Sequence, residues 1–166
     1  QVSSDIYTHP KTGTVLLYIG GLFGCVSSNC DQIIDCKNTG TINVSETTTR
    51  MLYVSGLLGT AMYGVEMKLD GCANTGDIIV GEDVFARNIY VGGILASTNN
   101  IKMQYPNCYN SGNVESKATA SQETYLGSIF GWSTKSNSDV ATVGIYNSGT
   151  VTYSGNSALA YVGGYC

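Results

Sequence analysis

The sequence predicts an all-β chain wound as a parallel β-helix, a β-solenoid of about four 36-residue repeats, and three observations predict it. The first is a phrase in which a cysteine or isoleucine is followed by x-Asn-[Thr/Ser]-Gly-x-[Ile/Val]. It stands at 36–42, 72–78, 108–114 and 145–151, and its asparagines Asn38, Asn74, Asn110 and Asn147 are 36, 36 and 37 residues apart. The second phrase, of the kind Tyr90-Val91-Gly92-Gly93-Ile94, starts at Tyr18, Tyr53, Tyr90 and Tyr125 and opens again at Tyr161, with spacings of 35, 37, 35 and 36. Self-similarity locked to such a period marks a repeat array. The third observation is composition. Charged residues are 12%, against 34 Ser and Thr, 21 Gly and 12 Tyr, the profile of an all-β protein with many turns and a hydroxyl-rich surface.

Taken in order, residues 1–13 read as an N-terminal extension and 14–166 as one β-solenoid domain. Its repeats run about 14–50, 51–87, 88–122 and 123–158, with a partial repeat at 159–166. Segments such as Tyr53–Leu58 and Ile78–Val80 are rich in β-branched and apolar residues, bounded by Gly and Asn, and lack a helical apolar stripe. They are strands. Asn-Thr-Gly and Asn-Ser-Gly are turns, because Asn tolerates left-handed backbone angles and bonds its own backbone while Gly takes positive φ freely. Each repeat thus runs strand, loop, turn, strand, loop. Length changes fall between the two phrases, where loops absorb them.

One repeat cannot bury its apolar side, and stacked repeats can. Stacking sets equivalent residues about 4.8 Å apart in parallel ladders. It predicts an asparagine ladder of Asn38, Asn74, Asn110 and Asn147 bonded amide to amide. It also predicts a tyrosine ladder of Tyr18, Tyr53, Tyr90, Tyr125 and Tyr161. Cys36, Cys72 and Cys108 form a column whose fourth member is Ile145, so the position wants a buried hydrophobe. The coil is either one large turn of 36 residues or two of about 18, and the Tyr-to-Cys spacings of 18, 19 and 18 suit the second. A four-bladed propeller-like repeat fold is the alternative, but it needs about four strands per repeat and only two or three are evident.

The two phrases together resemble the GLUG-type repeats of large microbial surface proteins, found in bacterial adhesins and peptidases and in surface proteins of some protists. The resemblance covers about residues 14–166. It implies a right-handed parallel β-helix that serves as stalk, spacer or adhesive surface.

Chemistry-bearing residues are few. The one histidine, His9, lies before the repeats, so a Ser-His-Asp or Cys-His arrangement would hang on a tail residue. The cysteines show no paired C-x₂-C spacing for zinc, and no D-x-[DN]-x-[DN]-G calcium loop appears. Glycoside cleavage would need paired carboxylates. Asp70 and Asp77 flank one turn and Asp35 is repeat-equivalent to Asp70, yet solvated turn acids explain them more simply. No catalytic residue, metal ligand or cofactor is assigned. Cys25 and Cys30 are a candidate disulfide that would staple the first repeat in an oxidising compartment. Asn43, in Asn43-Val44-Ser45, is a candidate N-glycan acceptor in an exposed loop after the first turn. Tyr63, Tyr105, Tyr109 and Trp132 are candidate sugar-stacking faces.

The net charge of −4 with eight Lys and Arg offers no stripe for a nucleic-acid backbone, and no apolar run is long enough to span a membrane. A start at Gln1 without initiator Met or signal segment leads to the expectation of a piece of something larger. The apolar stretches 15–19 and 159–166 lead to that of end-to-end association. The function expected is a non-enzymatic structural or adhesive repeat segment of an extracellular or cell-surface protein or fibre. It would self-associate or sit within a longer array, and in a eukaryotic secretory pathway it would be a glycoprotein. A carbohydrate-binding module is the alternative, and a polysaccharide-degrading β-helix enzyme stands behind it.

Overall fold

The computed structural model describes residues 4–7, 15–27, 30, 32–62, 66–98, 103–133 and 144–164, and among these every element is a strand or a turn. Strand pairing is parallel throughout. Tyr90 lies beside Tyr53 on one side and Tyr125 on the other, while Tyr18 pairs with Tyr53 and Tyr161 with Tyr125. Each residue therefore neighbours its equivalent one full repeat away. The coil is a single large turn of the chain, which removes both the two-small-coil geometry and the propeller, whose blades are antiparallel.

One coil carries four strand stretches. Ile78–Gly92 is long and bent, Leu95–Thr98 and Met103–Gln104 follow, and the two-residue bridge Tyr109–Asn110 leads into the next turn. Their equivalents stack into an eight-stranded sheet, two four-stranded sheets and one three-stranded sheet. Ser4–Tyr7 belongs to the eight-stranded sheet, with Ser4 beside Ile42 and Asp5 beside Asn43. The segment expected as an extension thus supplies a solenoid strand, a correction to the boundary at residue 14. At the other end, Asn156–Gly163 is one continuous strand across the expected repeat boundary at 158.

Alternation along the long strands fixes their facing. Ile78, Val80, Val84, Ala86, Ile89 and Val91 are buried in one apolar cluster with Leu52, Val54, Val114 and Leu126. Leu57, Leu58, Met67, Leu69, Cys72, Ile94, Leu95, Tyr105, Cys108, Ile129 and Phe130 form a second cluster. Between them the coil is pinched. A Cβ placed on Gly56 would lie 2.2 Å from Cγ of Asn74, and one on Gly93 would lie 2.5 Å from Cγ of Asn110. The Gly-Gly turn and the Asn-x-Gly turn, separate phrases in the sequence, meet across this waist. Only a residue without a side chain allows the asparagine that close.

The sequence reading missed another column. Asp35, Gly71, Asn107 and Gly144 have φ of 52°, 64°, 58° and 74°. They are the residue just before each Cys or Ile of the first phrase, and they are drawn from the three types that accept left-handed geometry most readily. Acid or amide alternates with glycine for a steric reason: a Cβ on Gly71 would sit 2.3 Å from Oδ1 of Asp35, and one on Gly144 would sit 2.7 Å from Oδ1 of Asn107.

Candidate functional site

The repeated polar columns are occupied by one another. Asn38 Nδ2 donates to Asn74 Oδ1 at 2.8 Å, Asn74 to Asn110 at 2.8 Å and Asn110 to Asn147 at 3.1 Å. The same nitrogens donate to the carbonyls of Gly40, Gly76 and Gly112, and Nδ2 of Asn147 donates to that of Gly149, closing each turn. Asn74 and Asn110 are wholly buried. Cys72 and Cys108 are buried in the second cluster, with Cys36 and Ile145 packed against it at its two ends. Burial pushes the Cys108 thiol up to about 12, which makes it a poor nucleophile.

The tyrosine ladder lies on the other side of the strand from Leu52 and Val54. Tyr18, Tyr53, Tyr90, Tyr125 and Tyr161 stack with ring centroids 5.0, 4.8, 5.3 and 4.7 Å apart. Trp132 leans on it at 5.8 Å from Tyr90 and 6.2 Å from Tyr125. Desolvation raises the hydroxyl pKa of Tyr53 and Tyr90, and that of Tyr125 to about 12 with a further contribution from Glu123. Tyr90 is buried, Tyr18, Tyr53 and Tyr125 are half-buried and Tyr161 is exposed, and Trp132 is committed to the ladder.

The other candidates fall out unevenly. Tyr105 is in the core, 2% exposed and tilted against Phe130, so it offers no face to a sugar. Tyr109 is half-buried beside Tyr146, and Tyr63 and His9 lie outside the described residues. Cys25 and Cys30 are free thiols, so the candidate disulfide is not formed; the two belong to successive stretches of the first coil joined by residues outside the description. Asn43 lies in Ile42–Ser55, flanked by Asp5 and Ile79, and is half-buried. The sequon sits in a strand of the sheet, where an exposed loop was expected. Asp70 is held to Lys68 at 2.7 Å and accepts from Asn107 at 3.2 Å; the bond from Lys68 comes first in keeping its carboxyl below the usual range. Asp77 accepts the backbone N–H of Asn113 at 2.8 Å. Both acids serve the turns. Among the described residues no group of three His, Cys, Asp or Glu converges as metal ligands would.

One outward site was not anticipated. On the bend of the long strands, Thr48, Thr49, Arg50, Phe85, Ala86, Arg87 and Ser121 line a shallow groove of ≈ 450 Å³. Ala86 and Ile89 both face the core, and of the two residues between them Arg87 is exposed while Asn88 is covered; Arg50 and Met51 hold the same positions one repeat earlier. Phe85 is 47% exposed. Arg87 Nε donates to Gln122 Oε1 at 2.8 Å. The signal in the sequence was present: the chain has two arginines only, and they are one repeat apart.

No protein-family model, no curated protein and no solved structure matches this chain.

Proposed function

We propose that the chain is a non-enzymatic structural and adhesive segment of an extracellular surface protein or fibre, which extends by adding coil to coil. The observation that carries this reading is the uncovered side of the coil containing Asn156–Gly163. Val162 is 48% exposed, whereas Leu126, Val91 and Val54, in the same core column, are fully buried. Leu159 and Tyr161 beside it are 53% and 46% exposed. A further coil in the same register, supplied by a second copy, would bury these side chains and pair the free strand edge. The polar ladders support the same reading, since their side chains are taken up by equivalents one coil away. The surface-protein assignment rests on the resemblance of the two phrases to microbial surface repeats.

Light scattering after size separation, with electron microscopy of the same sample, tests the proposal. Elongated particles that grow with concentration are expected, and Val162→Glu should abolish the growth. A compact monomer at high concentration, unchanged by Val162→Glu, would overturn it.

A further inference from the structure

We infer that the groove at Arg50, Phe85 and Arg87 is a binding site for a carboxylated saccharide, a glycan bearing hexuronate or sialate units. The case begins with what is unrepeated. Phe85 stands where its neighbours in register, Thr48 and Thr119, carry small hydroxyl side chains, so this aromatic belongs to no ladder. It is 47% exposed on the outward side of the strand. Arg50 and Arg87 lie side by side, between the register pairs Thr49–Ala86 and Met51–Asn88. Like charges on neighbouring strands, about 4.8 Å apart, repel and cost stability. Among the described residues no carboxylate pairs with either guanidinium. Glu123 on the adjoining strand is engaged by Asn88 at 3.1 Å, and Arg87 keeps its terminal nitrogens beyond the bond from Nε to Gln122.

An anion between the two guanidiniums turns this repulsion into attraction. A carboxylate suits the arginine fork, which offers paired N–H donors in one plane. Phe85 lies two residues from Arg87 on the same outward side, placing an apolar ring where the C–H face of a pyranose attached to that carboxylate would lie. Thr48 and Ser121 bring hydroxyls to the rim. The ≈ 450 Å³ of the groove falls within the range of small-ligand sites, about 300–1,000 Å³. Glu46 and Asp83 on the same face precede the arginines by four residues, about 13 Å of strand at ~3.3 Å each, farther than the ~8 Å screening length at physiological salt. They limit an extended polyanion more than a single acidic sugar. An acidic peptide would use the arginines and leave Phe85 without a sugar face to cover, so the saccharide is favoured. The inference is independent of how coils add end to end.

The test is titration calorimetry of the full chain with sialyllactose and with tetragalacturonate. Neutral lactose, a sulfated heparin tetrasaccharide and an oligo-aspartate peptide are the comparison ligands. Binding of at least one carboxylated sugar is expected, weakened by salt, with neither lactose nor the peptide bound comparably. Arg50→Gln with Arg87→Gln, and separately Phe85→Ala, should each weaken it about tenfold or more with no fall in melting temperature. Arg87→Lys should recover only part, because an ammonium lacks the fork. Three results would overturn the inference: no binding of either carboxylated sugar, equal binding of the sulfated sugar or the peptide, or affinity unmoved by Phe85→Ala. Particle length by electron microscopy in the same variants reports on coil addition separately.

Discussion

Replacing Asn110 with alanine removes one rung from the middle of the waist. The side chain donates to Gly112 O at 2.7 Å and to Asn147 Oδ1 at 3.1 Å, and it accepts from Asn74 Nδ2 at 2.8 Å, all with no exposure to solvent. Two of the three partners retain another bond: Asn74 Nδ2 still reaches Gly76 O at 2.8 Å, and Asn147 Oδ1 still accepts from Gly149 N at 3.2 Å. The losses that count are one N–H of Asn74 and the carbonyl of Gly112, both left in a dry interior at about 1–3 kcal/mol each. A void beside Gly93 adds to this. The sum is about 3 kcal/mol, a large share of the ~5–15 kcal/mol that holds a domain together. At ~2–4 °C per kcal/mol for a chain of this size, melting should fall by about 6–12 °C. Asn113 is the matched control, since its Oδ1 also bonds the next coil, accepting from Thr150 N at 3.1 Å, but it is exposed. Asn113→Ala should cost under about 1 kcal/mol, because water replaces the lost partner. Thermal melts by circular dichroism compare the two. Equal melting temperatures would refute the argument that burial makes the asparagine ladder a stabilising element.

Gly71→Ala should destabilise by about 1–3 kcal/mol, from left-handed strain and the contact with Asp35, whereas Gly164→Ala, with open space around it, should leave the melting temperature unchanged. In native alkylation followed by mass spectrometry, Cys72 and Cys108 should label slowly and the half-buried Cys25, Cys30 and Cys36 faster; rapid labelling of Cys108 would reject the buried column. Alkali should loosen the fold in a defined window. Burial raises the Tyr125 hydroxyl from 10.0 to about 12 and the Cys108 thiol from 9.0 to about 12, so the folded state holds these protons more tightly than the unfolded chain. Their contribution is complete below pH 9, falls as pH rises from 9 toward 12, and is gone above that. Melting temperature and tyrosinate absorbance followed together check this, and tyrosines that all titrate at their ordinary value in the folded protein would contradict it.

Period and turn chemistry were legible in the sequence because both are local. The 36- and 37-residue spacings of Asn38, Asn74, Asn110 and Asn147 announce stacking, and stacking alone places the amides and rings in register. What lies between the phrases was less legible. The spacing of Tyr to Cys, near half a repeat, suggested two small coils, yet it reports only the two halves of one coil divided by a waist. Tyr105 looked available to a ligand because nothing local distinguishes an aromatic that turns into the core from one that turns out; its burial depends on Phe130 from the next repeat. The left-handed column escaped notice because Asp35, Gly71, Asn107 and Gly144 share a backbone angle and no side-chain type. Arg50, Phe85 and Arg87 were passed over for a similar reason. Arg50 and Arg87 are neighbours because the repeats stack in register, and Phe85 shares their side by alternation along the strand, neither of which is visible until the register is known.

The waist also bears on where the repeats depart from their pattern. Position 128 is serine where the preceding repeats have Gly21, Gly56 and Gly93, the residues that touch an asparagine. Its partner across the waist by repeat position is Asn147, the rung that is half-buried where Asn74 and Asn110 have no exposure. The bond that reaches Asn147 is also longer, 3.1 Å against 2.8 Å in the two rungs before it. Ser128 instead turns its hydroxyl to the carbonyl of Gly164. A side chain at the glycine position thus accompanies a longer amide rung, on the coil whose outer side is uncovered. Glycine and asparagine recur at one period because each sets the space that the other can occupy.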